Sequence, residues 1–187
     1  MNKDDRRARK TDLALQTALI KLLSEKEIKD ITIKELTDTA DIHKATFYTH
    51  YEDIYDLYNQ IEEYVIGEIS KMITLDPKHT YTFVFNSLVE FLYDNLELTK
   101  VLLGDKNHRS FTDRLGAMLK EKYIDICKYE IKSNDMPKGW NILIEYHIKG
   151  YIALLSLLLK NDSLPEKEKL IKLLYKIDAN FDKMLEG

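Results

Sequence analysis

Only six glycines and three prolines punctuate this chain of 187 residues, and no Asn-Gly, Asp-Gly or Gly-Gly pair offers a hairpin turn. Each proline sits beside an expected boundary, at Asp76-Pro77, Met136-Pro137 and Leu164-Pro165. Between these breaks the apolar residues recur at steps of three and four instead of alternating, which is the period of a helix. An all-α fold follows. Hydrophobic residues make up 44% of the chain, enough to fill a core. The length suits one domain, or a small head of about 50 residues on a larger body.

The first helix is expected from Arg6 to Lys26, with Leu15, Ala18, Leu19, Leu22 and Leu23 forming its buried stripe and Asp12, Gln16 and Lys21 facing water. Thr32, followed three residues later by Glu35, has the spacing of a capping box. It would open a short helix from Ile33 to Ala40 that buries Ile33, Leu36 and Ala40. Asp41-Ile42-His43 leaves room only for a tight turn before a third short helix, Lys44 to His50. Asp53 can cap a long fourth helix ending near Thr74. After a looser stretch from Leu75 to Thr80, helices are expected at 81–94, 96–103, 108–132, 138–160 and 165–185. Ser163 and Glu166 repeat the capping-box spacing before the last one, with Pro165 in its first turn. The count is about nine helices.

Three short helices within the first 51 residues, the second and third joined by a tight turn, match helix-turn-helix geometry, in which the third helix enters the major groove of DNA. Phe47 and Ile42 supply the apolar side that such a helix must bury. Lys44, Ala45, Thr46, Tyr48, Thr49 and His50 supply an outward side of small and hydrogen-bonding groups. The stretch from Ile31 to Leu36, then Ala40 through Tyr51, resembles the TetR/AcrR family of bacterial transcriptional regulators. Its most specific part is Thr46-Phe47-Tyr48-Thr49-His50-Tyr51, followed by Glu52-Asp53 and Leu57. The likeness covers residues 12–58; beyond them it is one of length and helical pattern.

The resemblance implies a helix-turn-helix DNA-binding domain over residues 1–52 and a helical regulatory and dimerisation domain over 53–187. Lys44, Ala45 and Thr49 would then face base edges, and Thr46, Tyr48 and His50 would hold the phosphate backbone. Thr32 and Lys34, at the start of the second helix, would add phosphate contacts. Arg6, Arg7 and Arg9 could track a neighbouring phosphate or the minor groove. Family members usually carry glycine where this chain has Glu27 and Asp41, and a lysine where it has Ile54. Asp41 is therefore expected to adopt the left-handed conformation, which Asp tolerates better than most residues.

Net charge is −4, yet residues 1–51 hold ten Lys/Arg against nine Asp/Glu while residues 52–187 hold eighteen against twenty-three. DNA binding depends on the local patch and not on the sum, so a modest salt dependence is expected. Phosphate-cradling glycine loops and the GxSxG nucleophile motif are missing, and the five histidines show no i,i+4 pairing, so neither catalysis nor a helical metal pair is expected. No cofactor is implied. The single cysteine, Cys127, cannot form an internal disulfide and points to a reducing, cytoplasmic setting. No run of 18 apolar residues suggests a membrane span.

In the body, Tyr151 to Leu159 is apolar nearly all round, and Leu170, Leu174, Ile177, Phe181 and Leu185 mark a seam on the last helix. These two helices are expected to join two copies into a homodimer, as the family resemblance also implies. A small apolar effector would sit among Tyr64, Phe83, Phe91, Leu102, Tyr123, Cys127, Tyr146, His147 and Tyr151, with Tyr64, Phe91, Tyr123, Tyr146, His147 and Tyr151 as the expected contacts. The function expected is a DNA-binding regulator, a repressor on a palindromic operator that a small molecule releases. The alternative is a regulator, an activator among the options, whose body answers to a partner protein.

Overall fold

The computed structural model describes residues 3–73, 81–104, 109–161 and 163–186, with side chains over 6–73, 84–104, 111–161 and 163–177. Among these residues the elements are all helical: α1 (Lys3–Glu25), a single 3-10 turn (Ile28–Asp30), α2 (Ile33–Ala40), α3 (Lys44–Phe47), α4 (Ile54–Met72), α5 (Tyr81–Asp94), α6 (Leu96–Leu103), α7 (Arg109–Ile131), α8 (Trp140–Lys160) and α9 (Lys167–Glu186). The expected loose stretch from Leu75 to Thr80 lies outside the described residues. Two compact units result, Met1–Val65 and Ile66–Gly187. The division falls inside α4 and not at its first residue, because its early turns bury Ile54, Leu57, Tyr58, Ile61 and Val65 as part of the first unit's core.

In the first unit α1 packs on α2 and α2 on α3. The stripe Leu15, Ala18, Leu19 and Leu22 is buried, while Leu23 is only half-buried. Burying each such leucine contributes about 1.5–3 kcal/mol relative to exposure. Ile28 and Ile31 bracket the 3-10 turn and point inward with them. Thr32 caps α2 as expected, its hydroxyl accepting a hydrogen bond from the Glu35 N–H at 3.2 Å. The Glu35 carboxylate pairs with Lys26, which holds its pKa below the usual value and ties α2 back to the end of α1. Leu36 and Thr37 carry α2's burial, with Ile33 and Ala40 only half-buried. Thr37 can be buried because its hydroxyl donates to the Ile33 and Lys34 carbonyls at 2.9 and 3.0 Å.

In the second unit α5 packs on α7 and α9, and α8 on α6 and α7. Val84, Phe85, Val89, Leu92, Leu102, Leu119, Tyr123, Cys127, Ile144, Leu170 and Leu174 are essentially inaccessible and form the core. α7 ends when Lys132 turns left-handed at φ 51° and the Ser133 N–H reaches the Lys128 carbonyl at 3.2 Å. Gly139, at φ 95°, makes the turn into α8, so that helix begins at Trp140 and not at 138. α8 is the one described helix long and apolar enough to cross a membrane, although charged and polar residues keep it from being an unbroken apolar run. Its apolar residues serve the protein core: Ile144, Ile148, Tyr151, Ile152, Leu155 and Leu159 are buried on one side. α9 starts at Lys167, two residues later than expected. The Ser163 N–H is bonded to the Leu158 carbonyl, which leaves Ser163 at the end of α8 and not at the head of α9. The Pro165 carbonyl accepts from the Tyr93 hydroxyl, and Lys167 pairs with Glu90, so α5 sets where α9 begins.

Candidate nucleic-acid interface

The turn between α2 and α3 is built by one left-handed residue. Asp41 sits at φ 54°, ψ 44°. The Ile42 N–H reaches back to the Thr37 carbonyl at 3.0 Å and the Asp41 N–H to the Asp38 carbonyl at 3.4 Å. This pair of bonds is a Schellman ending, which satisfies the last carbonyls of α2 and reverses the chain within three residues. The left-handed backbone expected for Asp41 is therefore observed.

α3 itself is shorter than expected. It closes at Phe47, and residues 48–50 continue as turns in which the Thr49 N–H bonds the Thr46 carbonyl at 3.1 Å and the His50 N–H bonds the Phe47 carbonyl at 2.9 Å. Phe47 is fully buried and anchors the segment, meeting Tyr48 edge-on at 5.5 Å and Tyr51 at 5.8 Å. With its one large apolar side chain inside, the rest of the segment is left outside. Lys44, Ala45, Tyr48 and Thr49 are exposed and Thr46 and His50 half-buried. Thr32 and Lys34 are exposed at the start of α2.

These outward groups are already ordered by one another. The Lys44 ammonium lies 5.8 Å from the centre of the Tyr48 ring, a cation–π distance. The Thr49 hydroxyl donates to the Thr46 carbonyl at 2.6 Å. Asp53 caps α4, its carboxylate accepting from the Asp56 N–H at 2.8 Å, and Asp56 in turn accepts from the Glu52 N–H at 3.0 Å. That bond lowers the Asp56 pKa. Ile54, where the family pattern has a lysine, is buried, so this position offers no cation. Arg6, Arg7 and Arg9 fall within the first turns of α1, on a helix and not on an extended arm.

One contact was not visible in the sequence. Asp12, read there as facing water, lies 2.7 Å from His50 Nδ1 and accepts from the Tyr51 hydroxyl at 3.3 Å. It therefore fastens α1 to the end of the recognition segment. Burial first, and then the charge of Asp12, push the Tyr51 pKa up to about 12. No local signal could have found this triad, because its partners are far apart in the chain.

Of the six expected effector contacts, the structure gathers three. Phe85 stacks on Tyr151 with ring centres 3.6 Å apart, and Tyr123 and His147 close around them at 5.8 and 5.1 Å from Phe85. The Tyr151 hydroxyl donates to the Leu174 carbonyl at 3.2 Å. Phe91 is also buried, in the same unit. Tyr64 and Tyr146 are 60% and 73% exposed, so both stand on the surface. Phe83's side chain lies outside the described residues. Phe85, the ring at the centre of the cluster, was not among the sequence candidates. Tyr146 lines an open groove with Ile142, Glu145 and Lys149, and Glu145 is held there by Lys120 at 2.7 Å and Lys149 at 3.0 Å.

No family model matches the chain, and no curated protein matches it in sequence. Solved structures do match it in shape. A protein described as the dihydroxyacetone kinase operon activator DhaS superposes with a TM-score of 0.67 at 18% identity, over 94% of this chain and 96% of that one. A TetR transcriptional regulator from Streptococcus agalactiae gives 0.67 at 22% identity, over 93% and 96%. A TetR-family regulator from Streptomyces coelicolor gives 0.67 at 14% identity, over 96% and 81%. At these identities the likeness concerns architecture, and on that level the conclusion is firm: this chain has the all-helical fold of the TetR-family transcriptional regulators.

Proposed function

We propose that the chain is a DNA-binding transcriptional regulator that works as a homodimer on a two-fold symmetric site. The observation that carries this reading is the recognition segment itself. Four residues of helix are held by one buried Phe47, and Lys44, Ala45, Tyr48 and Thr49 are all turned outward. In this reading Lys44, Ala45 and Thr49 meet base edges, while Thr46, Tyr48, His50, Thr32 and Lys34 hold phosphates. So short a reader spans few base pairs, and a second copy doubles them across half-sites a turn or more apart.

The dimer surface we assign to α8 and α9. Ile142, Tyr146, Gly150, Ala153 and Leu157 follow one another at three- and four-residue steps along α8 and are all exposed, as are Leu173 and Ile177 on α9. Leu170 and Leu174, part of the seam expected from sequence, are instead spent on the protein's own core; Phe181 and Leu185 lie outside the described side chains. A stripe of this kind suits a self-complementary contact between two copies.

Control of DNA binding is read in two ways. In the first the protein is a cytoplasmic repressor, and a small apolar effector opens the cluster of Phe91, Tyr123, His147 and Tyr151. The second is an activator or repressor whose body answers to a partner protein. The contact of Phe85 with Tyr151, stacked, and with Tyr123 and His147, tilted and edge-on, favours the second, since these rings occupy the space where an effector would sit. One of the similar structures is described as an operon activator, which keeps activation within this reading.

Fluorescence anisotropy on DNA from upstream of the protein's own gene tests the reading. Tyr48→Ala should weaken binding to every sequence, and Lys44→Ala should weaken mainly the specific site, by about 1–3 kcal/mol if it reads a guanine. Loss of neither would refute the assignment of this surface.

A further inference from the structure

Resting on the DNA-binding reading above, we propose that Asp12 is a positioning residue for DNA contact: it fixes the ring and the proton of His50 so that a phosphate is met by the charged imidazolium. The Asp12 oxygen that lies 2.7 Å from His50 Nδ1 is the same one that accepts from Tyr51 at 3.3 Å. An ionised carboxylate can only accept, so Nδ1 must carry a proton and the Tyr51 hydroxyl must donate. Burial and the Asp12 charge, which raise the Tyr51 pKa to about 12, keep that hydroxyl protonated at any working pH.

The consequence lies on the other side of the ring. In a neutral imidazole with its proton on Nδ1, Nε2 holds only a lone pair. A phosphate oxygen, itself an acceptor, has nothing to bond there. Contact requires a second proton, taken from solvent, on Nε2. The ring then stands as a cation between two anions, the Asp12 carboxylate from α1 and the phosphate. Around the same carboxylate stand Tyr51, adjacent to His50 in the chain, Gln16 of α1, which hydrogen-bonds Tyr51, and Asp56 of α4, whose charge acts on Tyr51. None of these three groups is a cation. A head whose ring is neutral when free therefore takes up a proton on binding DNA, and affinity falls with rising pH by at most about tenfold per pH unit per head.

The full-length protein is tested with a random-sequence duplex of about 30 base pairs at low salt, because a phosphate contact needs no operator. Anisotropy titrations from about pH 6 to pH 8 should show the fall for the wild type. Asp12→Asn should flatten it, since an amide N–H can donate to Nδ1 and leave a neutral ring with Nε2–H facing the phosphate. His50→Gln, a neutral donor of similar reach, should flatten it as well and guards against an Asp12 variant that fails to fold. Long-range proton–nitrogen NMR of the free protein at about pH 8 should find His50 in the Nδ1–H form. An Nε2–H ring in the free wild type, or equal pH slopes in the wild type and both variants, overturns the inference. A wild type that binds no duplex at all overturns the DNA-binding reading, and with it the role of Asp12; the NMR result then reports the tautomer alone, so the two failures are told apart.

Discussion

Asp41 carries a conformation that its side chain disfavours, and replacing it should reveal how much of the head's stability rests on that residue. At φ 54°, ψ 44° an L-residue typically incurs about 1–2 kcal/mol, with Asp at the lower end because its short polar side chain tolerates the region. Glycine removes that strain, about 1 kcal/mol here, but also loosens the unfolded chain by about 0.4–1 kcal/mol. Asp41→Gly should therefore be neutral or stabilising by at most about 0.6 kcal/mol. Asp41→Val adds a β-branch in the same place and should lower stability by about 1–2 kcal/mol relative to wild type. The assay is urea unfolding followed by far-UV circular dichroism, with hydrogen exchange of the α1–α3 amides separating the first unit from the second. Because the Schellman bonds from Ile42 and Asp41 orient α3, the valine variant should lose DNA affinity along with stability. A valine variant as stable as wild type, or a glycine variant that loses more than about 1 kcal/mol, would refute the reasoning.

Other outcomes are equally checkable. Thr32→Ala removes the exposed cap on the Glu35 N–H and should cost about 1 kcal/mol in urea unfolding. Tyr51 has a raised pKa in the folded state, so its contribution to stability is complete below about pH 10, where unfolded tyrosine titrates, and is lost as pH climbs toward about 12. Tyr51→Phe should accordingly soften alkaline unfolding and delete one late-titrating tyrosine from the ultraviolet titration. Leu157→Glu combined with Leu173→Glu places two charges on the exposed stripe and should yield monomers in sedimentation velocity while leaving the helical content unchanged.

Most of the architecture was legible because helix period and helix caps are local. Thr32 and Asp53 both cap where their sequence positions suggest, and α5 and α6 begin and end at the residues the periodicity marks. α3 was overestimated by three residues, since the successive turns through Tyr48, Thr49 and His50 keep the same outward pattern as a helix would. The outward face of the candidate interface could be read because Phe47 is the one large apolar residue between Ile42 and Tyr48, which leaves no choice of inner side. The body offered no such lever. α8 is apolar on several faces, so its pattern could not tell buried Tyr151 from exposed Tyr146, and α4 gave the same ambiguity for Tyr64. Asp12 escaped entirely: a single carboxylate on the polar side of α1 looks like any other until folding brings the end of the recognition segment against it.

The hydrogen bond from Tyr151 to the Leu174 carbonyl has a meaning beyond its strength. Helices packed through leucines can exchange one set of grooves for the next by sliding a turn, about 5.4 Å, with little change in the area they cover. A hydroxyl aimed at one particular carbonyl is an address, which no neighbouring turn can satisfy from the same place. Tyr151, itself pinned by its stack on Phe85, thus chooses which turn of α9 faces inward, and so which residues of α9 are left for the outside. Leu173 and Ile177 are exposed because Leu170 and Leu174 are held in. The composition of the protein's outer stripe is decided by one buried phenol.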